Sequence, residues 1–282
     1  MKAGIASIRK ELAGIYAKGE IESLIFLIFE KLKGYSRTQL LLAHEEQLNE
    51  DDRNKIEKIV DRLKNHEPIQ YILGMTEFYG LPFHSVPGVL IPRPETEELV
   101  QWIIQENEHT KPSILDIGTG TGCIAISLQK NIPQSTVFAC DISPVCLETA
   151  RRNSELNSAE VSVFEYDILN ETSGKDFHEL DIVVSNPPYI RENEKEQMEK
   201  NVLEYEPELA LFVADEKPLI FYERIADFSR IHLKNRGRLY FEINEAFGSE
   251  CCDMLQGKGF SEIVLKKDIH GKDRMMCCRW SR

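Results

Sequence analysis

The sequence has no Cys-x-x-Cys pair, no histidines at metal-ligand spacing, no internal repeat and no apolar run approaching the length of a membrane span. Its seven cysteines are odd in number and include two adjacent pairs, Cys251-Cys252 and Cys277-Cys278. That spacing suits neither a disulfide framework nor a zinc site, so reduced thiols packed as small hydrophobes are expected and no metal is assigned. Basic residues are also short: 34 Lys and Arg stand against 47 Asp and Glu, a formal net charge of -13. A protein that grips nucleic acid by neutralising phosphates carries the opposite excess, so no direct nucleic-acid partner is expected. The stretch MKAGIASIRKELAG reads as an amphipathic helix rather than a signal peptide, which predicts a cytoplasmic protein with no membrane partner.

What is present is a length of 282 residues, 42% hydrophobic and 29% charged, enough for two domains that each bury a core. Over residues 1–74 apolar residues recur at helical spacing in IRKELAGIY, IESLIFLIFEKLKG, TQLLLAHEEQL and DRNKIEKIVDRLKN, which predicts a small all-helical domain. Residues 75–96 change character. Gly80, Pro82, Pro87, Gly88, Pro92 and Pro94 punctuate β-like stretches such as FYGLPFH and GVLI, the pattern of a β-hairpin linker. From 97 to 282, strands SILDIG, TVFACD, VSVFEYD, LDIVVSN and GRLYFEIN alternate with helices near 97–105, 122–131, 143–157, 193–203, 216–234 and 247–257. The end differs, because EIVLKKDIHG and RMMCCRW are two strands with only a short turn between them, so one must run antiparallel. The expected fold class is α/β: a seven-stranded, mostly parallel Rossmann-like sheet with an antiparallel C-terminal hairpin. That outline resembles the S-adenosylmethionine-dependent methyltransferases.

Four motifs carry chemistry. ILDIGTGTG runs from a strand through Gly118, Thr119, Gly120, Thr121 and Gly122 into a helix, and its glycines let backbone turn sharply and approach a ligand. A dinucleotide fingerprint G-x-G-x-x-G would need glycine where Cys123 stands; G-x-G-x-G after Asp116 resembles the adenosylmethionine loop instead. Asp141 ends the next strand, where a carboxylate can accept both ribose hydroxyls of an adenosine; the same residue also suits a helix cap. Asp167 and Ile168 follow the third strand, offering a carboxylate for an exocyclic amine and an apolar cover for a purine ring. Asn186, Pro187, Pro188 and Tyr189 close the fourth strand. Asn-Pro-Pro-Tyr is the signature of methyltransferases that modify planar amide-like or amine nitrogens.

Such a nitrogen has a delocalised lone pair and attacks a methyl sulfonium poorly. If the Asn186 side-chain oxygen and the Pro187 carbonyl accept its N–H protons, the lone pair can localise toward the methyl carbon. The prolines fix φ and hold that carbonyl still, and Tyr189 is expected to supply a flat wall for the substrate group. Asn186, Pro187 and Tyr189 are thus the candidate catalytic residues, with Pro188 beside them in the substrate subsite.

With a helical N-terminal domain followed by IPRPETEEL, ILDIGTGTG and VSNPPYI in this order, the whole chain closely resembles the HemK/PrmC family of peptide chain release factor N(5)-glutamine methyltransferases. IPRPETE discriminates, since N(6)-adenine methyltransferases of DNA or RNA, the alternative, share the NPPY tetrapeptide but not this combination. The resemblance implies S-adenosyl-L-methionine as cofactor and a release factor as protein substrate, its Gly-Gly-Gln glutamine entering over Asn186 to Tyr189. It also implies a helical domain that helps recognise that substrate, and a cofactor site lined by Gly118 to Gly122, Asp141, Ile168 and Asn186. Nothing in the pattern requires more than a monomer. Three departures stand out: VADEKP where a glycine-rich continuation is usual, Asn244 where the family usually has glycine, and Ile168 where relatives often have Trp. Arg93 and Glu95 suit ion pairs in a linker; in the family their segment closes over the junction of cofactor and substrate.

Overall fold

The computed structural model describes residues 1–43, 46–107, 110–170 and 179–281. Two compact units emerge: residues 1–74 together with 199–205, and residues 75–198 together with 206–282. The first is helical, with α1 (Lys2–Leu12), α2 (Lys18–Lys33), α3 (Arg37–Leu42), α4 (Glu50–Lys64) and α5 (Ile69–Leu73). Its boundaries follow local chemistry. Gly34 ends α2 in the left-handed conformation, φ 68°, and its N–H returns to the Glu30 carbonyl. Ser36 and Gln39 cap α3 reciprocally, and Asn49 caps α4, whose first turn is acidic and last turn basic. Ile5, Ile8 and Leu12 of α1 share a core with Ile21, Leu24, Ile28, Ile56, Val60 and Leu63, the spacing of helical faces turned inward. The helix expected over TQLLLAHEEQL is present as α3, and residues 44 and 45 of that stretch lie outside the described residues.

The second unit opens with a hairpin, β1 (Met75–Phe78) and β2 (Leu81–His84), through the turn Tyr79-Gly80. GVLI does not join it: Val89 N–H bonds back to the Val86 carbonyl in a turn that Pro87 and Gly88 dictate, so this stretch is loop. Then come α6 (Pro94–Asn107), β3 (Ser113–Ile117), α7 (Cys123–Asn131), β4 (Thr136–Asp141), α8 (Pro144–Leu156), β5 (Val161–Glu165) and β6 (Leu180–Ser185). The short β7 (Ile190–Arg191) leads into a 3-10 turn over Glu192–Gln197 and α9 (Lys200–Tyr205), which belongs to the helical unit. The pattern predicts one helix over 193–203; Met198, extended at φ -88° and ψ 151°, splits it. After α10 (Glu208–Leu211) and β8 (Phe212–Val213), the chain forms α11 (Ile220–His232), β9 (Leu233–Glu242), α12 (Gly248–Gly257), β10 (Phe260–Lys267) and β11 (Asp273–Trp280). No described helix is long and apolar enough to cross a membrane.

The main sheet has seven strands in the order β10-β11-β9-β6-β3-β4-β5. β3 pairs in parallel with β4 and β6, β4 with β5, and β6 with β9, while β11 runs antiparallel to both β9 and β10. Consecutive residues on each strand serve opposite faces. Ile114, Ile182, Tyr240 and Cys277 pack with α6 and α7 on one side; Leu115, Val183, Phe241 and Cys278 pack with α11 and α12 on the other. The alternation accounts for adjacent cysteines on β11. None of the seven cysteines forms a disulfide, and burial raises the Cys277 thiol to about 12.

Candidate functional site

Connection order along the sheet reverses between β3 and β6, so the loops leaving their carboxyl ends diverge and leave a crevice. Gly118, Thr119, Gly120, Thr121, Asp141, Asp167, Ile168, Asn186, Pro187 and Pro188 all line one cavity there, of about 330 Å³. Two residues expected in the site do not line it. Gly122, φ 82°, faces protein: a Cβ would lie 3.0 Å from Ile126 Cδ1 and 3.2 Å from the Ala150 Cβ, so its glycine is required by helix packing. Tyr189, expected to form a flat wall for the substrate group, packs its ring against the apolar cluster of the sheet and donates its hydroxyl to Glu242 at 3.2 Å.

The glycine loop is held by carboxylates near it in sequence. Gly120 N–H donates to Asp141 Oδ2 and Ser143 N–H to Asp141 Oδ1, each at 2.9 Å. Burial raises the Asp141 pKa while these amides lower it. Beneath the loop Asp116 is fully buried and receives the Thr119 hydroxyl at 2.6 Å; desolvation pushes it up to about 7. Asp167 organises its own loop by accepting Leu169 N–H and Asn170 Nδ2 at 2.9 and 2.6 Å, beside Ile168.

The tip of β6 is held from far away. Asn186 Nδ2 donates to Thr96 Oγ1 at 3.2 Å, and the Thr96 hydroxyl donates to Glu242 Oε2 at 2.5 Å. Thr96 and Glu242 are 2% and 1% exposed. Burial raises the Glu242 pKa against the lowering pull of the Thr96 hydroxyl and of the Arg274 charge. Asn244, the departure from glycine, binds the Tyr189 carbonyl through Nδ2 at 3.1 Å and the Ala246 N–H through Oδ1 at 3.0 Å. A further buried carboxylate, Glu206, accepts Ile91 N–H at 3.1 Å and Arg93 Nη2 at 2.6 Å, joining IPRPETE to EYEPELALF. Sequence reasoning does not single out Thr96, Glu206 or Glu242 as site residues; their only signal is position inside IPRPETE, EYEPELALF and FEIN.

The donor set decides what fits. Asp141 and Asp167 are acidic, Ile142, Ile168 and Leu169 are apolar, and the only basic residue among the described lining is Arg93, which Glu206 engages. A pyrophosphate would find no free cation here, whereas an adenosine attached to a positive sulfonium suits acidic and apolar walls. Among the described residues no group of three or more His, Cys, Asp or Glu could hold a metal.

Residues 95–206 match the family described as Methyltransferase small domain, and residues 5–74 the PrmC N-terminal domain. The chain is 48% identical to a protein from Flavobacterium psychrophilum named release factor glutamine methyltransferase, over 94% of each chain. It is 46% identical to a protein of the same name from Bacteroides thetaiotaomicron, over 96% of this chain and 97% of that one. A solved methyltransferase from Pyrococcus furiosus superposes with a TM-score of 0.53 at 16% identity, covering 83% of this chain and 100% of its own, a likeness of fold.

Proposed function

The chain belongs to the release factor glutamine methyltransferase family, and on that premise we propose that it methylates the side-chain amide nitrogen of the glutamine in the Gly-Gly-Gln motif of peptide chain release factors. S-Adenosyl-L-methionine, when bound, supplies an electrophilic methyl carbon and leaves as a neutral thioether. Gly118 to Thr121, Asp141, Asp167 and Ile168 would hold it. The observation that carries the reading is the polarity of Asn186: with Nδ2 given to Thr96, the carboxamide offers its Oδ1 as acceptor. An acceptor there and the Pro187 carbonyl take the two N–H protons of a primary amide and orient its nitrogen lone pair. One of those protons leaves to solvent as the N–C bond forms, so no strong base is needed.

Residues 1–74 are assigned a substrate-recognition role, and the active species is a monomer in the cytoplasm that needs no nucleic acid. Incubation with labelled cofactor and, separately, a release factor, its Gln→Ala variant and DNA tests the reading. Label should enter only the intact release factor. Label in DNA, or label persisting in the Ala variant, overturns it in favour of an adenine methyltransferase, which would need to flip its base into the same cavity.

A further inference from the structure

The two ends of an Asn carboxamide are nearly the same size but opposite in hydrogen-bonding sense. Only the oxygen end can receive an N–H, so a methyl acceptor held by Asn186 requires something that keeps this carboxamide from turning over. We propose that Glu242, acting through the Thr96 hydroxyl, is the positioning device that fixes the Asn186 carboxamide with its oxygen toward the substrate. This role rests on the reading of Asn186 as acceptor for the substrate amide.

Proton count fixes the sense of each bond. With Glu242 ionised, which the nearby Arg274 charge and the Thr96 and Tyr189 hydroxyls favour against burial, the carboxylate only accepts, and the bond of 2.5 Å between Thr96 Oγ1 and Glu242 Oε2 uses the single hydroxyl proton of Thr96. Thr96 Oγ1 then has lone pairs alone to offer Asn186, and at 3.2 Å it can meet only Nδ2. The turned-over carboxamide would set two acceptors against each other at the Thr96 hydroxyl, a residue only 2% exposed. The other oxygen of the same carboxylate receives the Tyr189 hydroxyl at 3.2 Å. Both ends of Asn186–Tyr189 therefore answer to one buried charge on β9. Thr96 sits in IPRPETE and Glu242 in FEIN, which gives these two segments a task in the acceptor half of the site rather than in cofactor contact. A charge without a hydroxyl between could hold the loop in place but could not define the sense of the amide, and that difference makes the proposal testable.

The test measures methylation of the release factor together with cofactor affinity by calorimetry and unfolding midpoints. Thr96→Val keeps the shape and removes the relay; kcat should fall at least about tenfold, with the cofactor Kd held within about threefold. Thr96→Ser restores the hydroxyl and should recover kcat to within about threefold of the parent. Glu242→Gln offers one acceptor to two hydroxyls and should also lower kcat at least about tenfold, yet add less than about threefold when made in Thr96→Val, because both changes cut one chain. An NMR signal from the Asn186 side-chain NH2, identified by its loss in Asn186→Ala, should shift in Thr96→Val and remain in Thr96→Ser. Equal kcat in the Val and Ser variants, parental kcat in Glu242→Gln, or fully additive losses would overturn the relay. Asn186→Ala separates the two levels. If it is inactive while Thr96→Val is normal, the relay alone fails; if it stays active, the acceptor reading beneath it fails.

Discussion

The tips of β3 and β6 meet at one cavity but are built by opposite means. The β3 tip is a backbone structure, held by Asp116 and Asp141 acting on amides and hydroxyls within about one strand-helix unit of them. The β6 tip is a side-chain structure, held by Thr96 from α6 and Glu242 from β9, through bonds that span 90 and 146 residues of chain. A loop that must follow the contour of a bound nucleoside is best made of backbone. An acceptor that must face one polar group in one sense is best made of side chains locked by other side chains.

The contrast is most exposed to disruption at the β6 tip. Asn186→Ala should lower methyl transfer by a factor of about 100 to 1,000 while leaving cofactor Kd within about threefold, read by single-turnover rates and calorimetry. At the β3 tip the largest effect is on stability and depends on pH. Asp116 has its folded pKa raised to about 7 from 3.8, so its favourable contribution is complete below the unfolded value and is lost as pH rises through 7. Denaturant midpoints should therefore favour Asp116→Asn over the parent by about 2 kcal/mol more at about pH 8 than at about pH 5. A difference independent of pH would show that this carboxylate is not held protonated. Asp141→Ala removes the acceptor for Gly120 and Ser143 and should weaken cofactor binding about tenfold with a smaller change in kcat for saturated enzyme. Gly122→Ala should cost about 1 kcal/mol or more in stability, with φ and the Ala150 contact both unfavourable, whereas cofactor affinity in the surviving folded protein changes less than in Asp141→Ala.

The same contrast explains which parts of the molecule are legible in its sequence. The β3 loop, Asp141, Asp167 and the NPPY turn announce themselves because each is a few residues long and sits at the end of a short, mostly apolar strand. The strands follow from those apolar stretches and the flanking helices from apolar residues at helical spacing, down to the final hairpin. GVLI misleads because Val-Leu-Ile has strand propensity, and Pro87 with Gly88 overrides it. The helix over 193–203 misleads because its polar residues fit helical spacing, while the break at Met198 is decided by which unit each half joins. Thr96, Glu206 and Glu242 carry no signature of their own beyond their place inside IPRPETE, EYEPELALF and FEIN. A threonine at a helix start reads as a cap, and a glutamate on a strand reads as a solvent-facing residue; only the fold reveals that both are buried and bonded.

The placement of cysteines on β11 and α12 has a practical side. Cys277 and Cys278 point to opposite faces of a strand in the sheet interior, and of the seven thiols only Cys252 is more than marginally open to solvent. A maleimide dye added to native protein should therefore attach once, at Cys252 on α12, outside the residues that line the cavity. Mass spectrometry of the labelled protein would verify the single adduct. The result would be a protein labelled at one known position with no change to the sequence.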